Sequence, residues 1–260
     1  MKVSIDELKK RYLETKAHEK GWIWTYYVRR PISYYLAIFF LYFDISANKV
    51  TLLFLFTGVI GSLLLALGDY IMFILGALLI ELAIILDCVD GNIARVRGST
   101  TLGSVLDVWS GEIILVLSLF MLGVGLSGLA NENMITLYIL NNIISTTNGN
   151  IFLYIGSLTA IVSLASWAAR NSWRVISKNF DDMKPTINGN IMKKLIENIF
   201  HYSGAYSLTM LIAAIFNILD LFLLLVGSAY CVNLFVIMYT IIKKAYSLDK
   251  KKYINNCFVV

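Results

Sequence analysis

Cysteine, histidine and proline are scarce in this chain of 260 residues, which has three, two and two of them. The cysteines, Cys88, Cys231 and Cys257, are isolated, so they form neither the paired spacing of a metal site nor an obvious disulfide framework. His18 and His201 likewise have no partner in a metal-binding spacing. We therefore interpret the cysteines as structural residues and the histidines as surface or interface residues.

Charged residues are also few, at 15% of the chain against about 25% in a typical soluble domain. Hydrophobic residues make up 58%. A spanning helix needs roughly 20 mostly apolar residues, and apolar runs recur at 50–67, 71–86, 113–126, 151–169 and 206–242. The last run is long enough for two spans, with 217–220 as the turn between them. The sequence therefore predicts an all-α, multi-pass integral membrane protein with six transmembrane helices.

The distribution of basic residues predicts the orientation of these helices. Cytoplasmic loops retain Lys and Arg, and all 22 basic residues lie within four segments, 2–49, 95–97, 170–194 and 243–252. The loops expected on the other face contain none; they are 68–70, 127–150 and 217–220. Six spans with both termini in the cytoplasm satisfy this pattern.

The chain divides into four expected regions. Residues 1–30 are polar and basic without the apolar stretch of a secretory signal, so we interpret them as a cytoplasmic N-terminal segment. Residues 31–46 contain an apolar stretch too short to span, which predicts an amphipathic helix in the membrane interface. Residues 47–245 are expected to form the six-helix transmembrane domain, and residues 246–260 a cytoplasmic tail.

The segment 86–113 places acidic residues between two predicted spans. Asp87 and Asp90 are three residues apart and therefore share one face of a helix. A carboxylate at the bilayer centre costs about 2.5–3.5 kcal/mol, and converging carboxylates repel one another. A hard divalent cation held by Asp87, Asp90 and Asp107, with a substrate phosphate completing its shell, relieves this repulsion. The alternative is that these acids face water and pair with Arg95 and Arg97.

Small residues accompany the acids on both helices. Gly91 and Ala94 fall on the stripe of the first two aspartates, whereas Gly103 and Gly111 flank Asp107 at intervals of four. Such stripes allow a helix backbone or a flat ligand to approach closely. Since only a short turn at 98–102 joins the two spans, we expect them to be antiparallel neighbours whose stripes face each other near the cytoplasmic boundary.

Seven positions of this segment resemble a family signature. They read Asp87-x2-Asp90-Gly91-x2-Ala94-Arg95-x7-Gly103-x3-Asp107. This string is similar to the signature of the CDP-alcohol phosphotransferases (also CDP-alcohol phosphatidyltransferases), which are integral membrane enzymes that make phospholipids and related phosphodiesters. That family also has six spans and a preceding interfacial helix. The strings RPIS at 30–33 and ANKVT at 47–51 look like the start of its first span, with Ala47 where a proline is usual.

The resemblance implies a transferase of phospholipid biosynthesis. It would move a phosphatidyl or other substituted phosphate group from a CDP-linked donor, expected to be CDP-diacylglycerol, to a polar alcohol acceptor, and release CMP. Asp87, Asp90 and Asp107 would coordinate Mg²⁺ or Mn²⁺, which would hold the donor diphosphate. A transporter or channel also fits six spans, but it does not explain the spacing of the seven positions.

The resemblance also implies roles for the residues around the acids. Gly91, Ala94 and Gly103 would leave room for the cytidine end of the donor, and Arg95 would support its phosphates or the acidic cluster. Arg170 and Arg174 share a helix face and would receive the anionic group of the acceptor. For these two arginines, ordinary cytoplasmic charge in contact with lipid headgroups is the alternative, and the same choice applies to 178 and 184, which are lysines.

Gly111 departs from the family pattern. The signature ends in an aspartate at this position, which is thought to bind metal and to act as the base toward the acceptor. The adjacent Glu112 is turned by about 100° around the helix, although a π-bulge would bring it round. Asp107 and Glu112 are therefore the candidate catalytic residues. The alternative is a catalytically degenerate homologue that binds metal and CDP-lipid without turnover.

Glu81 and the basic segments leave further expectations. Glu81 lies inside a predicted span, so it is either functional or a hydrogen-bonded structural glutamate. Because all basic residues line one membrane face, we expect anionic lipid of the bilayer as a partner and no nucleic acid. The resemblance implies pairing as a homodimer. The acceptor alcohol is chosen by pocket side chains that the sequence does not identify.

Overall fold

The computed structural model describes residues 5–128, 151–176 and 204–257. These segments form one π-helical turn, Thr25–Arg29, and eight α-helices. We number the α-helices α1 Ile5–His18, α2 Arg30–Tyr42, α3 Ala47–Ala66, α4 Tyr70–Arg97, α5 Thr101–Gly128, α6 Ile151–Ile176, α7 Tyr206–Ile215 and α8 Leu219–Cys257. All regular secondary structure in the described segments is helical, which confirms the predicted all-α class.

Five of these helices are long and apolar enough to cross a membrane. The candidate spans are Ala47–Ala66, Tyr70–Arg97, Thr101–Ser127, Ile151–Ile176 and Leu219–Leu248. The remaining predicted span falls at α7, which is apolar but has only 10 residues. A single helix of that length is too short to cross a bilayer. The described residues therefore contain five candidate spans where the sequence predicted six.

Local sequence explains where these helices begin and end. Asp69 caps the start of α4 by accepting hydrogen bonds from the backbone N–H groups of Ile71 and Met72, at 2.9 and 3.4 Å. At the end of α4, Gly98 has a φ of 93°, a conformation that favours glycine. Asn217, with a φ of 55°, separates α7 from α8 at the turn predicted for this position.

Helix α3 packs along both α4 and α5, whereas α4 and α5 contact each other over only a short stretch. A Cβ atom added at Gly76 of α4 would lie 2.7 Å from the carbonyl oxygen of Gly61 on α3. Glycine at both positions therefore permits a close approach of the two backbones. The sequence predicted that α4 and α5 face each other near the cytoplasmic boundary; the contact between them is confined to a short stretch, because α3 packs against both of them.

The N-terminal segment folds against the spans. Leu8 of α1 is buried, and both α1 and α2 contact α4. Helix α2 occupies the segment predicted to lie in the interface and exposes Tyr35, Phe39 and Tyr42. Several sequence-based interpretations fall outside the described residues; these are the outer loop at 129–150, the cytoplasmic loop at 177–197, its lysines at 178 and 184, and the histidine at 201.

Candidate active site

Three carboxylates from two helices come together where α4 ends and α5 begins. Asp87, Asp90 and Asp107 each offer one carboxylate oxygen, and these oxygens lie within 4.8 Å of one another. Asp90 is buried, Asp87 is half-buried and Asp107 is the most exposed. None of the three forms an ion pair with a described residue. Three carboxylates this close together, with no ion-pair partner among the described residues, fit a hard divalent cation.

A pocket of about 270 Å³ opens beside these acids. Its wall combines the start of α3, the end of α4 and the start of α5, and includes Asp90, Gly91, Ala94, Arg95, Gly103 and Asp107. All six were named from the sequence as site residues. The pocket has both polar and small side chains, so it has room for a polar ligand in contact with the carboxylates.

Helix α3 contributes a wall that sequence reasoning missed. Thr51 is buried and donates a hydrogen bond of 2.7 Å from Oγ1 to Oδ2 of Asp90. Asn48 lies 3.2 Å from the Thr100 hydroxyl, which in turn accepts a 2.9 Å hydrogen bond from the Gly103 N–H. The string ANKVT carried the signal for Asn48 and Thr51, but it was used only to locate the start of a span.

The two glycines of the pocket make room for specific neighbours. A Cβ atom at Gly103 would lie 2.5 Å from Asn48 Oδ1 and 3.0 Å from Thr100 Oγ1. A Cβ atom at Gly91 would lie 3.3 Å from both terminal nitrogens of Arg95. Gly91 therefore allows the Arg95 guanidinium to lie across the helix at the pocket wall.

The two arginines at the end of α4 have different partners. Arg95 donates from Nη2 to Asn92 Oδ1 over 2.9 Å, which holds its side chain beside the pocket. Arg97 pairs with Asp44, at 2.5 Å, in the loop before α3. In the described residues, neither arginine neutralises the acids through an ion pair, contrary to the alternative considered from the sequence.

Glu112 does not join the acidic group. Its Oε1 lies 3.4 Å from Ser163 Oγ on α6, and α5 is α-helical around it without a π-bulge. The charge of Arg170, also on α6, acts on the Glu112 carboxylate. Arg170 is half-buried, whereas Arg174, one turn further along α6, is exposed. The structure therefore directs Glu112 toward α6 and not toward the three aspartates.

Glu81 belongs to a buried network away from the pocket. Its carboxylate accepts two hydrogen bonds from Arg29, at 2.9 and 2.8 Å, and one of 2.9 Å from Trp24 Nε1. Arg29 also donates to the Gly204 carbonyl over 2.7 Å, and Ser207 hydrogen-bonds to Glu81. This network joins the π-helical turn, α4 and α7. Of the two interpretations that the sequence left open for Glu81, the structure supports the hydrogen-bonded structural glutamate.

Comparison with known proteins gives one clear relationship. No curated protein matches the chain significantly. The model of the CDP-alcohol phosphatidyltransferase family matches residues 44–242, which include the three carboxylates, the pocket and all five candidate spans except the last few residues of the fifth. The match covers most of the chain and begins just before α3. The chain therefore belongs to the CDP-alcohol phosphatidyltransferase family.

Proposed function

We propose that this protein transfers a phosphatidyl or other substituted phosphate group from a CDP-linked donor, CDP-diacylglycerol, to an alcohol acceptor, and releases CMP. The observation that carries the proposal is the convergence of Asp87, Asp90 and Asp107 beside a pocket lined by small residues. The acceptor oxygen forms a bond to the donor phosphorus that carries the diacylglycerol or other substituent of the donor. The bond from that phosphorus to CMP breaks, and its electron pair leaves with CMP.

The residues of the pocket support a division of roles. Asp87, Asp90 and Asp107 would hold Mg²⁺ or Mn²⁺, which would neutralise charge on the diphosphate and on the departing CMP. Thr51 orients the Asp90 carboxylate through its hydroxyl, as partners of metal ligands commonly do. Arg95, held by Asn92 at the pocket wall, is available to the donor phosphates. Positioning and charge neutralisation contribute most in phosphoryl transfer.

The proton of the acceptor needs a base, and two carboxylates are candidates. Asp107 lines the pocket, so it can take the proton directly. Glu112 lies against Ser163 and under the influence of Arg170, which supports a place on the acceptor side. Arg170 and Arg174 would receive an anionic group of the acceptor. We expect Asp107 to carry the larger role because it adjoins both the pocket and the other two carboxylates.

We further propose that the protein has six spans, that both of its termini are in the cytoplasm, and that the site faces the cytoplasm. The acids lie at the same end of α4 as Arg95 and Arg97, and Arg170 and Arg174 lie at the end of α6. Clusters of basic residues of this kind mark the cytoplasmic side. The sixth span would fall at α7. Residues 47–245 would form the catalytic domain, with 31–46 at the interface.

The experiment is a CMP-release assay with purified protein, CDP-diacylglycerol and a panel of acceptor alcohols. We expect CMP release that requires Mg²⁺ or Mn²⁺ and is abolished by Asp107→Ala. Asp44→Ala is the matched control, because Asp44 is exposed and pairs with Arg97 at the surface; it should retain activity. Release that persists in a chelator, or that survives Asp107→Ala, contradicts the proposal.

A degenerate homologue is the second candidate, and Gly111 is the observation that favours it. The residue at this position carries no carboxylate, and the neighbouring Glu112 is directed to α6. Such a protein would bind CDP in the presence of Mn²⁺ without turnover. If calorimetry shows that the protein binds CDP, and the protein releases no CMP with any donor or acceptor, this second hypothesis is established.

A further inference from the structure

Arg30 precedes the residues that match the family, yet it lies in the surroundings of the acidic site. It is the first residue of α2 and has 7% of its surface exposed. Its charge interacts with that of Asp87 on α4 and also with that of Arg95. The N-terminal segment therefore supplies a buried cation whose charge acts on one of the three carboxylates, Asp87.

The guanidinium of Arg30 is only partly hydrogen-bonded. Its Nε donates to Glu19 Oε2 over 2.5 Å, and its Nη2 donates to the other oxygen of the same carboxylate. Its Nη1 is buried and has no hydrogen-bond partner among the described residues. Buried polar groups are nearly always paired, and an unpaired donor on a charged group costs free energy. One donor of this arginine is thus left for a further acceptor.

Hydrogen bonds connect the backbone of Arg30 to the pocket wall. Ser33 Oγ donates to the Arg30 carbonyl over 3.0 Å, and Asn92 Nδ2 donates to Ser33 Oγ over 3.1 Å. The other end of the Asn92 amide accepts the 2.9 Å hydrogen bond from Arg95. One chain of hydrogen bonds therefore links the backbone of Arg30 on α2 to the side chain of Arg95 on α4.

Arg30 remains charged in this position. Burial by itself lowers the pKa of Arg30, but the hydrogen bond to Glu19 and the neighbouring negative charges outweigh burial and raise it above its ordinary value. The side chain is thus a permanent cation with one donor unused. A planar guanidinium presents its donors in a geometry that matches phosphate as well as carboxylate.

We propose that Arg30 is a phosphate-binding residue of the acidic site, with Nη1 as the donor to a phosphate oxygen of the substrate. The inference rests on the proposed function, and the phosphate belongs to the CDP-linked donor or to a phosphorylated acceptor. Glu19 holds Arg30 in place in the absence of phosphate. The segment 19–30 thereby acts as part of the substrate site.

The test measures binding by the purified full-length protein with Mn²⁺ present, using CDP and, separately, inorganic phosphate as probes in calorimetry. Loss of a hydrogen bond to a charged group lowers affinity by roughly 10- to 100-fold, so Arg30→Met should weaken binding to that extent. Arg30→Lys keeps the positive charge and should retain part of the wild-type affinity. Glu19→Gln removes a negative charge that opposes a phosphate at Arg30 and should strengthen binding.

The opposite signs of the Arg30→Met and Glu19→Gln effects separate this role from a structural one. A purely structural ion pair predicts that both substitutions lower thermal stability while leaving probe affinity unchanged. Arg97→Met is the matched control, since it removes one positive charge from an arginine paired with Asp44; CDP affinity should not change. A loss confined to CDP assigns the donor phosphates, whereas a loss confined to inorganic phosphate assigns a phosphorylated acceptor.

Two results overturn the inference. If the wild-type protein binds CDP and Arg30→Lys and Glu19→Gln bind CDP and phosphate with unchanged affinity, Arg30 has no phosphate role, although the proposed function stands. If the wild-type protein binds neither probe and releases no CMP, both proposals fail together. Should Arg30→Met not fold, the Arg30→Lys and Glu19→Gln proteins decide the question, because each preserves a hydrogen-bonding side chain at its position.

Discussion

The hydroxyl of Thr51 on α3 donates a 2.7 Å hydrogen bond to Oδ2 of Asp90 on α4. Both residues are buried, with 3% and 4% of their surfaces exposed. This bond engages only one oxygen of the Asp90 carboxylate and limits rotation of that group. Helix α3 therefore sets the orientation of an acid that belongs to another helix, which ties the geometry of the acidic site to the packing of α3 on α4.

Thr51→Val is predicted to weaken metal binding. Valine has nearly the same shape as threonine but cannot donate to Asp90, and loss of a hydrogen-bond partner of a metal ligand typically costs about 10- to 100-fold in affinity or activity. The measurement is Mn²⁺ affinity by electron paramagnetic resonance of the unbound ion. Thr57→Val is the control, because Thr57 on the same helix donates only to the Leu53 carbonyl. Equal Mn²⁺ affinity in the two variants would count against the role of Thr51.

Gly103→Ala is predicted to reduce binding of CDP. A Cβ atom at this position would lie 2.5 Å from Asn48 Oδ1, so Asn48 must move into the pocket. Overpacking of this kind costs about 1–3 kcal/mol, which corresponds to roughly a 5- to 150-fold loss of affinity when the cost falls on the bound state. Calorimetry with CDP and Mn²⁺ gives the value. Gly21→Ala is the control, since nothing lies within 4 Å of its added Cβ atom; a similar loss there would contradict the prediction.

Gly111→Asp is predicted to raise the rate of CMP release if the site lacks a base. Residue 111 lies one turn after Asp107 on α5, so a carboxylate there shares the face of Asp107. A positioned general base contributes roughly 10²- to 10⁴-fold. Gly111→Asn has a similar size without the carboxylate and serves as the control.

Glu112→Gln tests whether Glu112 has replaced the base that residue 111 lacks. If Gly111→Asp has no effect and Glu112→Gln abolishes CMP release while the protein remains folded, then Glu112 has taken over the role and the argument from Gly111 is wrong. Circular dichroism and thermal unfolding in detergent would show that each variant is folded.

Arg29→Met is predicted to destabilise the fold strongly. It leaves the Glu81 carboxylate buried without its main partner, and breaking a buried ion pair on one side costs about 3–5 kcal/mol. Arg97→Met is the comparison, because the carboxylate of its partner Asp44 is 90% exposed, and such pairs contribute about 0–1 kcal/mol. Thermal unfolding in detergent should show a large drop for the first variant and a small one for the second. Similar drops would show that Glu81 does not depend on Arg29.

The sequence predicted helix α4 closely because its signals are local. The apolar run follows Asp69, whose side chain caps the helix, and ends before Gly98, whose positive φ terminates it. The spacing of Asp87 and Asp90 placed both on one face, and the short connection to α5 kept Asp107 nearby. These features depend on neighbours within a few positions along the chain, so they could be predicted.

Partners across helices could not be predicted in the same way. Thr51 and Asp90 are 39 positions apart, and Arg29 and Glu81 are 52 apart. Tryptophan near a membrane surface is usually found at the headgroup level, but the indole N–H of Trp24 donates to Glu81. Which side chains meet depends on the rotation of each helix about its axis, and that rotation is set by contacts such as the one between Gly61 and Gly76.

By itself, the sequence determined the helical class, the membrane location of the long apolar helices, the family and the acids of the candidate site. Composition, periodicity and short motifs carry that information, because hydrophobic burial and helix geometry act locally. Only the tertiary structure decided that α3 forms the third wall of the pocket, that Glu112 is directed toward Ser163 on α6, and that the buried Arg30 guanidinium pairs with Glu19. Those relations arise from the packing of whole helices, in which small residues allow close approach and buried polar groups must find partners.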